Sequence, residues 1–261
     1  MNKIDLSGSL WLASDIHLGP ATPATTEAFL AFLDTAAKEA DALLLPGDIF
    51  DAWIGDDVIR AAPPWLDTVV KALKRTSSVI PLWLGRGNRD FLIGQELADA
   101  TGAKLLADRT ILSTAAGKVL LTHGDELCTD DKDYQAFRTM VRDPQWQKAF
   151  LAKPIPERLA AAQQARGESQ AAMQGKSASI MDVNPKAVKE AFEASDVNLL
   201  VHGHTHRPDR HVAMIDGRKR ERWVLPDWDF DHATPPRGGW MVIDQDGVQC
   251  FDMDFSGADS A

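Results

Sequence analysis

The chain is organised around the stretch Leu199-Leu-Val-His-Gly-His-Thr-His-Arg-Pro208, in which an apolar, strand-like run passes directly into a polar segment with three histidines. Three imidazoles within five residues suit a metal site better than a core. If strand-like alternation continues through the turn, His202 and His204 point to the same side and two nitrogen ligands face one position. Two ligands are too few for a metal ion, so other segments must supply the rest.

Four other segments have the same form, an apolar run that ends in a short polar tract with a potential ligand. They are Leu10-Trp-Leu-Ala-Ser-Asp15-Ile-His17, Leu43-Leu-Leu-Pro-Gly-Asp48, Pro81-Leu-Trp-Leu-Gly-Arg-Gly-Asn88-Arg89-Asp90 and Val119-Leu-Leu-Thr-His123-Gly-Asp125.

The first ninety residues alternate between strand and helix patterns. Strands are predicted at 10–13, 42–46 and 79–84, with one helix capped by Thr25 and another at 64–75. This order predicts a largely parallel sheet covered by helices. Ligands of such sheets sit beyond the carboxyl ends of the strands, which is where the candidate ligands of this half lie.

A long segment without strand signal follows His123. We interpret 130–195 as a helical insertion that covers the site and separates the two parts of a core, 1–129 and 196–261. Helix breaks are predicted near Pro144, Pro154-Ile-Pro156, Gly167 and Gly175. Basic residues outnumber acidic ones here, and apolar residues are interleaved with them. An ordinary amphipathic cap and a surface for a molecule both anionic and apolar are equally compatible with this pattern.

The remainder of the chain contains further strand-like runs. Asp216-Gly217 and Asp246-Gly247 predict hairpin turns between them. The stretch 223–237 carries several aromatic residues and has no assigned role, and a packing surface is its simplest interpretation.

Composition narrows the classes of function. The chain has 261 residues, 44% of them hydrophobic, and a net charge of −10, which argues against nucleic-acid binding through a basic surface. Cys128 and Cys250 cannot form a disulfide framework, which fits a reducing compartment. Neither a signal peptide nor a membrane span is evident, so we expect a cytosolic protein that could still lie on a membrane surface.

The candidate ligands offer oxygen and nitrogen without sulfur, which suits Mn, Fe or Zn better than Ca or Mg. They are Asp15, His17, Asp48, Asn88, His123, His202 and His204. Seven ligands indicate two ions, which a carboxylate can bridge, and such a pair activates water and stabilises phosphoryl transfer. Each residue has a plainer alternative, such as a helix cap for Asp48 or a turn for Asn88. Five such sites at strand ends favour the metal centre.

These motifs resemble those of the calcineurin-like metallophosphoesterases over about residues 10–210. The resemblance implies an α/β fold, an αββα sandwich of two mixed β-sheets flanked by helices, around a dinuclear centre. By motif, one ion would be held by Asp15, His17, Asp48 and His204, and the other by Asp48, Asn88, His123 and His202. His206 has no ligand role in that pattern and would lie in an outer position.

One departure from the family concerns Arg89, where many members have a histidine thought to protonate the leaving group. Arginine cannot act as this acid because its guanidinium keeps its proton. A phosphate leaving group needs no proton, and a guanidinium can pair with phosphate oxygens. The sequence therefore predicts a pyrophosphate substrate.

Further stretches, including Asp51-Ala-Trp-Ile-Gly-Asp-Asp57 and Ser179-Ile-Met-Asp-Val-Asn184, resemble a subfamily that acts in lipid A synthesis. The resemblance implies two Mn²⁺ ions and attack of water on the α-phosphorus of UDP-2,3-diacylglucosamine, a nucleotide-linked lipid. It implies a catalytic set of Asp48, Asn88, Arg89 and His202, and substrate contacts from Asn88, Arg89, Asp131, Ser169, Met173, Lys176 and His202. Met173 replaces an asparagine of the subfamily, so that contact stays open, although a methionine could line an acyl pocket.

The resemblance also implies peripheral attachment to the cytoplasmic face of an inner membrane. Two alternatives remain at this point: another dinuclear phosphodiesterase of the superfamily, or a non-catalytic scaffold with the same fold. A scaffold does not need a full ligand set, and this chain retains every ligand of the pattern. We expect neither a nucleic-acid partner nor an obligate protein partner.

Overall fold

The computed structural model describes residues 2–173 and 180–253. In these ranges the strands are β1 (Asn2–Asp5), β2 (Leu10–Leu12), β3 (Ala42–Leu45), β4 (Leu82–Leu84), β5 (Lys104–Leu105), β6 (Arg109–Thr114), β7 (Gly117–Thr122), β8 (Leu199–His202), β9 (Arg210–Ile215), β10 (Arg218–Val224), β11 (Gly239–Asp244) and β12 (Gly247–Asp252). The α-helices are α1 (Pro23–Glu39), α2 (Pro64–Ser77), α3 (Gln95–Thr101), α4 (Lys132–Val141), α5 (Pro144–Leu151), α6 (Ile155–Met173) and α7 (Pro185–Ser195).

The strands form two six-stranded sheets, ordered β1-β6-β7-β8-β10-β9 and β12-β11-β2-β3-β4-β5. Strands β2 to β5 pair in parallel, as do β7 and β8, whereas β11 pairs antiparallel with both neighbours and β6 with β7. Both sheets are therefore mixed, which confirms the αββα expectation. The largely parallel arrangement predicted for the first ninety residues is also confirmed, since β2, β3 and β4 pair in parallel.

A buried apolar layer lies between the sheets, with Leu44 and Trp83 from one sheet and Leu121 and Val201 from the other. Helices α1 to α3 cover the outer face of the second sheet, and α7 covers that of the first. Burial on both faces explains why the motif strands read as continuous apolar runs. The packing of the two sheets places the carboxyl ends of β2, β3, β4, β7 and β8 at one edge of the sandwich.

Three local predictions need correction. Helix α1 begins at Pro23 with Thr22 as its N-cap, so Thr25 is inside the helix, because proline suits a first turn that leaves its backbone nitrogen unpaired. Strand β4 is shorter than predicted because α2 continues to Ser77, which leaves Val79 65% exposed. Helix α6 passes through Gly167 without a break, since one glycine costs a helix only about 1 kcal/mol.

Other local predictions are confirmed. A break separates α4 from α5 at Pro144, and the turns at 216–217 and 245–246 join hairpins. Asp216 and Gly217 both have positive φ, as tight hairpin turns require. The predicted break at Gly175 lies outside the described residues.

Helix α6 of the insertion is fastened to the core by Arg158, whose side chain is 1% exposed. Its Nη1 donates to Asp57 Oδ1 at 2.9 Å and to the carbonyl oxygen of Ile54 at 2.5 Å, and its Nη2 pairs with Asp57 Oδ2. The hydrogen bonds from Arg158 hold the pKa of Asp57 below its ordinary value. Because a buried guanidinium must keep its acceptors, this pair fixes where the insertion lies.

We expect Asp57→Asn to lower the free energy of unfolding by about 2 kcal/mol, since hydrogen bonds to charged groups contribute about 1.5–3 kcal/mol. Denaturant unfolding would measure the loss. The control is Glu96→Gln, which removes an exposed bidentate pair with Arg60. Arg60 lies with Asp57 in the 3₁₀ helix Asp56–Ala61, and the loss of this exposed pair should cost much less stability. Equal losses from the two variants would contradict an anchoring role for Arg158.

Candidate metal centre

The five motif strands deliver all the predicted ligands to one edge of the sandwich. Asp15 and His17 follow β2, Asp48 follows β3, Asn88 follows β4, His123 follows β7, His202 ends β8, and His204 follows it. Asp15, Asp48, His123 and His202 are each at most 3% exposed. Buried charged and polar groups at converging strand ends need partners or a ligand.

Asp48 lies at the middle of the group. Its Oδ2 is 3.9 Å from His17 Nε2 and 3.7 Å from His123 Nε2, while its Oδ1 accepts a hydrogen bond from the backbone of Arg89 at 2.8 Å. One oxygen thus faces an imidazole on each side. This is the position from which a carboxylate can bridge two ions.

Asn88 lies on the His123 side. Its Oδ1 is 3.1 Å from His123 Nε2 and 2.8 Å from His204 Nδ1, and the two imidazole rings are 5.3 Å apart. His202 is close to the same loop, because a Cβ added to Gly124 would come within 2.8 Å of its Nδ1. The ring nitrogens of His202 lie 2.8 Å from the Gly203 carbonyl oxygen and 3.0 Å from Arg222 Nη1.

On the Asp15 side the structure places His206 where the family pattern has His204. His206 Nε2 lies 3.2 Å from His17 Nε2 and 3.5 Å from Asp15 Oδ1, whereas His204 reaches Asp15 through its backbone nitrogen, at 3.0 Å. Strand β8 ends at His202, and His204 and His206 have φ of 66° and 53°. The expected strand-like alternation of His202 and His204 is therefore wrong.

Backbone strain is concentrated at this edge. Seven non-glycine residues in the described ranges have positive φ, and five of them belong to the motif loops: Asp15, His17, Asp48, His204 and His206. Such conformations are unfavourable for L-residues and persist where the surrounding structure enforces them, most often at functional sites.

The motif glycines permit close approach of backbone to ligand. A Cβ at Gly87 would overlap the carboxylate of Asp48, and one at Gly203 would overlap that of Asp15. No larger residue fits at either position without displacing a candidate ligand.

Burial sets the protonation of the imidazoles. It lowers the pKa of His17 to about 3, that of His202 to about 3 with help from the charge of Arg222, and that of His204 to about 4. All three rings are therefore neutral at pH 7. Neutral His17 and His204 can bind a metal ion without first losing a proton, whereas the ring nitrogens of His202 face Gly203 and Arg222.

Two groups of this cluster, Asp48 and His206, have raised pKa values. Burial, together with the charges of Asp90 and Asp15, raises the pKa of Asp48 to about 7. Burial opposes protonation of His206, but its hydrogen bonds to Asp15 and Asp227 raise its pKa to about 10. A divalent cation beside Asp48 would favour the charged form of its carboxylate.

The donors fit metal ions. In the described part of the chain, two sets of three donors have ligand atoms within 4.8 Å of one another, and they share Asp15: one adds His17 and His206, the other Asp48 and His123. Oxygen and nitrogen donors of this kind suit divalent transition metals.

The structure describes the other predicted substrate contacts to different degrees. Arg89 is half-buried in the β4 loop, and its charge helps to lower the pKa of His17. Asp131 is the N-cap of α4 and accepts from the backbone of Tyr134 at 3.1 Å. Ser169 lies half-buried on α6. Helix α6 ends at Met173, whose side chain is outside the described part, as is all of Lys176.

Several contributors were not predicted from the sequence. Tyr134 stacks on His204 with ring centroids 5.7 Å apart, and its hydroxyl donates to Asp125 at 2.7 Å. Arg138 donates to the same carboxylate at 2.8 Å. The first insertion helix therefore supports the metal centre. Asp125 belongs to the motif stretch that follows His123, but nothing local in the sequence indicated that Tyr134 and Arg138 would meet it.

Comparison with known proteins places these observations in a family. The calcineurin-like phosphoesterase family model matches residues 8–208. The UDP-2,3-diacylglucosamine hydrolase of Bordetella pertussis is 72% identical over 253 residues, 97% of this chain and 98% of that protein. The protein of the same name from Cellvibrio japonicus is 46% identical over 216 residues, 82% of this chain and 89% of that one. A solved archaeal phosphodiesterase aligns with a TM-score of 0.46 at 11% identity, over 94% of this chain and 100% of that chain.

Proposed function

The chain belongs to the calcineurin-like phosphoesterase family, and we propose that it is a UDP-2,3-diacylglucosamine hydrolase, which cleaves the pyrophosphate of this nucleotide-linked lipid in lipid A synthesis. The observation that carries the proposal is 72% identity over 97% of the chain, a span that includes the helical insertion as well as the motif loops. The buried cluster of carboxylates and neutral imidazoles supports a metal-dependent hydrolase.

We assign two Mn²⁺ ions to the centre, one to be held by Asp15, His17, Asp48 and His206 and the other by Asp48, Asn88, His123 and His204. The motif pattern has His204 and His202 at these two positions, but His206 Nε2 lies 3.5 Å from Asp15 Oδ1 and His204 Nδ1 lies 2.8 Å from Asn88 Oδ1. The ring nitrogens of His202 instead face the Gly203 carbonyl oxygen and Arg222. When bound, two such ions provide a water nucleophile near neutral pH and stabilise charge on the attacking and leaving oxygens. Asp48 orients both sides of the centre, and the strained loops hold the ligands in place before substrate arrives.

Arg89 gives the reaction its preference for a pyrophosphate. Its backbone is fixed on both sides, because its nitrogen donates to Asp48 Oδ1 and its carbonyl oxygen accepts from Trp53 at 3.0 Å. The guanidinium can pair with phosphate oxygens and stabilise charge on a phosphate leaving group, which requires no proton.

We expect Arg89→His to hydrolyse the nucleotide lipid about 10–100-fold more slowly. The variant loses the charged hydrogen bonds between the guanidinium and phosphate, which contribute about 1.5–3 kcal/mol. Steady-state rates on this substrate and on a simple alkyl phosphodiester would measure the effect. The diester, whose alkoxide needs a proton, serves as the control and should suffer less. A variant faster than wild type on the nucleotide lipid would refute the argument.

The insertion is suited to the lipid end of the substrate. Met140, Leu151 and Leu159 are large apolar residues of α4, α5 and α6 that are 41–46% exposed, and basic residues lie between them in the sequence. Apolar and basic groups together favour a lipid phosphate and the surface of an anionic membrane. No helix in the described ranges is long and apolar enough to cross a bilayer. We assign the protein to the cytoplasmic face of the inner membrane, attached peripherally.

The test is hydrolysis of UDP-2,3-diacylglucosamine by the Mn²⁺-loaded protein in water enriched in oxygen-18, followed by phosphorus NMR. Label on UMP is expected, because we assign the attack to the α-phosphorus, with 2,3-diacylglucosamine 1-phosphate as the other product. Label on the sugar phosphate would reverse the direction of attack. Turnover of simple diesters alone would replace the proposal with a general phosphodiesterase.

A further inference from the structure

The segment 226–237, which has no role in the sequence pattern, forms an outer wall of the metal centre. The backbone nitrogen of Trp228 donates to the carbonyl oxygen of Asp15 at 3.0 Å. The carboxylate of Asp231 accepts from the backbone nitrogen of Thr25 at 2.9 Å and from its hydroxyl at 2.7 Å. The segment is therefore tied to the first metal motif at Asp15 and to the first turn of α1 at Thr25.

This wall places the carboxylate of Asp227 against His206. Asp227 Oδ2 lies 3.2 Å from His206 Nδ1 and accepts from Arg237 Nη2 at 2.8 Å and Nε at 3.0 Å. Asp227 is only 4% exposed. A buried carboxylate held by a guanidinium fork has little freedom to turn, so it presents a fixed acceptor to the imidazole.

The other nitrogen of His206 faces the first metal motif, 3.2 Å from His17 Nε2 and 3.5 Å from Asp15 Oδ1. The side chain of His206 is 39% exposed, so packing alone does not fix its ring. In metal sites, a carboxylate bonded to the far nitrogen of a histidine commonly sets the orientation of that ring.

We propose that Asp227, clamped by Arg237, is a positioning residue that acts through His206 on the metal ion held by Asp15 and His17. The proposal rests on the metal centre of the proposed function. Asp227 fixes the ring of His206, and the fixed ring in turn limits the orientations of His17 and Asp15. Loss of the carboxylate frees the ring and weakens one of the two ion sites.

The experiment is a titration of the metal-depleted full chain with Mn²⁺, followed by calorimetry and by the paramagnetic resonance of free Mn²⁺. Asp227→Asn should bind one of two ions about 10–100-fold more weakly and leave the other unchanged, as expected for loss of an outer partner. The matched control is Asp229→Asn, a carboxylate of the same segment that instead accepts from the backbone of His232 at 2.8 Å. The control should bind both ions as wild type does.

A double-mutant cycle tests whether the effect passes through His206. His206→Gln should weaken the same ion, and adding Asp227→Asn to it should produce no further loss. If the two losses multiply, Asp227 acts by another route and the proposal is wrong. It is also wrong if Asp227→Asn binds both ions as tightly as wild type.

Two outcomes separate this proposal from the proposed function. If the wild-type protein fails to bind two Mn²⁺ ions, the proposed metal centre itself is wrong. If the wild-type protein binds both ions and Asp227→Asn binds them equally well, only the positioning role of Asp227 is wrong. Circular dichroism checks folding, and Arg237→Gln is the second variant should Asp227→Asn not fold. Its guanidinium is half exposed, and its loss should weaken the same ion by a smaller factor. Unchanged affinity in a folded Arg237→Gln would contradict the clamp.

Discussion

Asp48→Asn is expected to reduce the turnover of UDP-2,3-diacylglucosamine at least about a thousandfold. Stabilisation of the transition state by the metals contributes several kcal/mol, and each 1.36 kcal/mol corresponds to a factor of ten in rate. Asp48 Oδ2 lies between His17 and His123, and the amide of an asparagine brings no negative charge to that position. The variant should therefore lose affinity for both ions rather than for one.

Single-turnover rates and Mn²⁺ stoichiometry would measure the two effects together. Asp41→Asn is the matched control, because Asp41 precedes the same strand, β3, at its opposite end and accepts from the backbone of Ser9 at 2.7 Å. This control should keep wild-type rate and stoichiometry. An Asp48→Asn variant that still binds two ions would show that Asp48 does not bridge them.

The parts of the site that could be predicted from the sequence are those that depend on a local pattern of apolar and polar residues. Each motif strand is a buried apolar run that ends in a polar tract, and burial on both faces produces that pattern within three to six residues. Convergence at one edge follows once neighbouring strands are parallel. The loops after β2, β3 and β4 therefore lie where the pattern predicts.

What could not be predicted depends on distant partners or on backbone strain. Asp231 meets Thr25 across 206 residues, so no local signal links segment 226–237 to the first motif. Strand β1 pairs with β6, although neither segment shows a clear strand pattern in the sequence. His206, and not the predicted His204, lies beside His17 because both histidines have positive φ. The surrounding fold imposes this backbone conformation, so the sequence alone does not reveal it.

Asp90 shows how the motif loops are fastened to one another. Its carboxylate accepts from four backbone nitrogens: those of Gly87 at 2.7 Å, Asp48 at 3.1 Å, Ile49 at 2.8 Å and Phe50 at 3.4 Å. These nitrogens belong to the loops after β3 and β4, which carry Asp48 and Asn88. Burial raises the pKa of Asp90, although the bonded amides favour its charged form. Only an acceptor with two oxygens can satisfy this set of donors.

We therefore expect Asp90→Asn to lower the free energy of unfolding by about 3 kcal/mol or more, because its amide nitrogen would face backbone donors that lose their acceptor in a buried place. It should also weaken Mn²⁺ binding, since the two ligand loops lose their common fastening. Thermal unfolding and Mn²⁺ titration of the same preparation would measure both.

The control for Asp90→Asn is Asp56→Asn. Asp56 is also a carboxylate that fastens a loop, and it accepts from the backbone nitrogens of Gly94 and Leu97 at 3.0 and 2.9 Å. Since these partners lie outside the motif loops, Asp56→Asn should cost stability and leave Mn²⁺ affinity intact. If Asp90→Asn behaved in the same way, its four hydrogen bonds would serve folding alone. Loss of affinity in Asp90→Asn only would mean that the Asp90 carboxylate sets the relative position of the loops that carry Asp48 and Asn88.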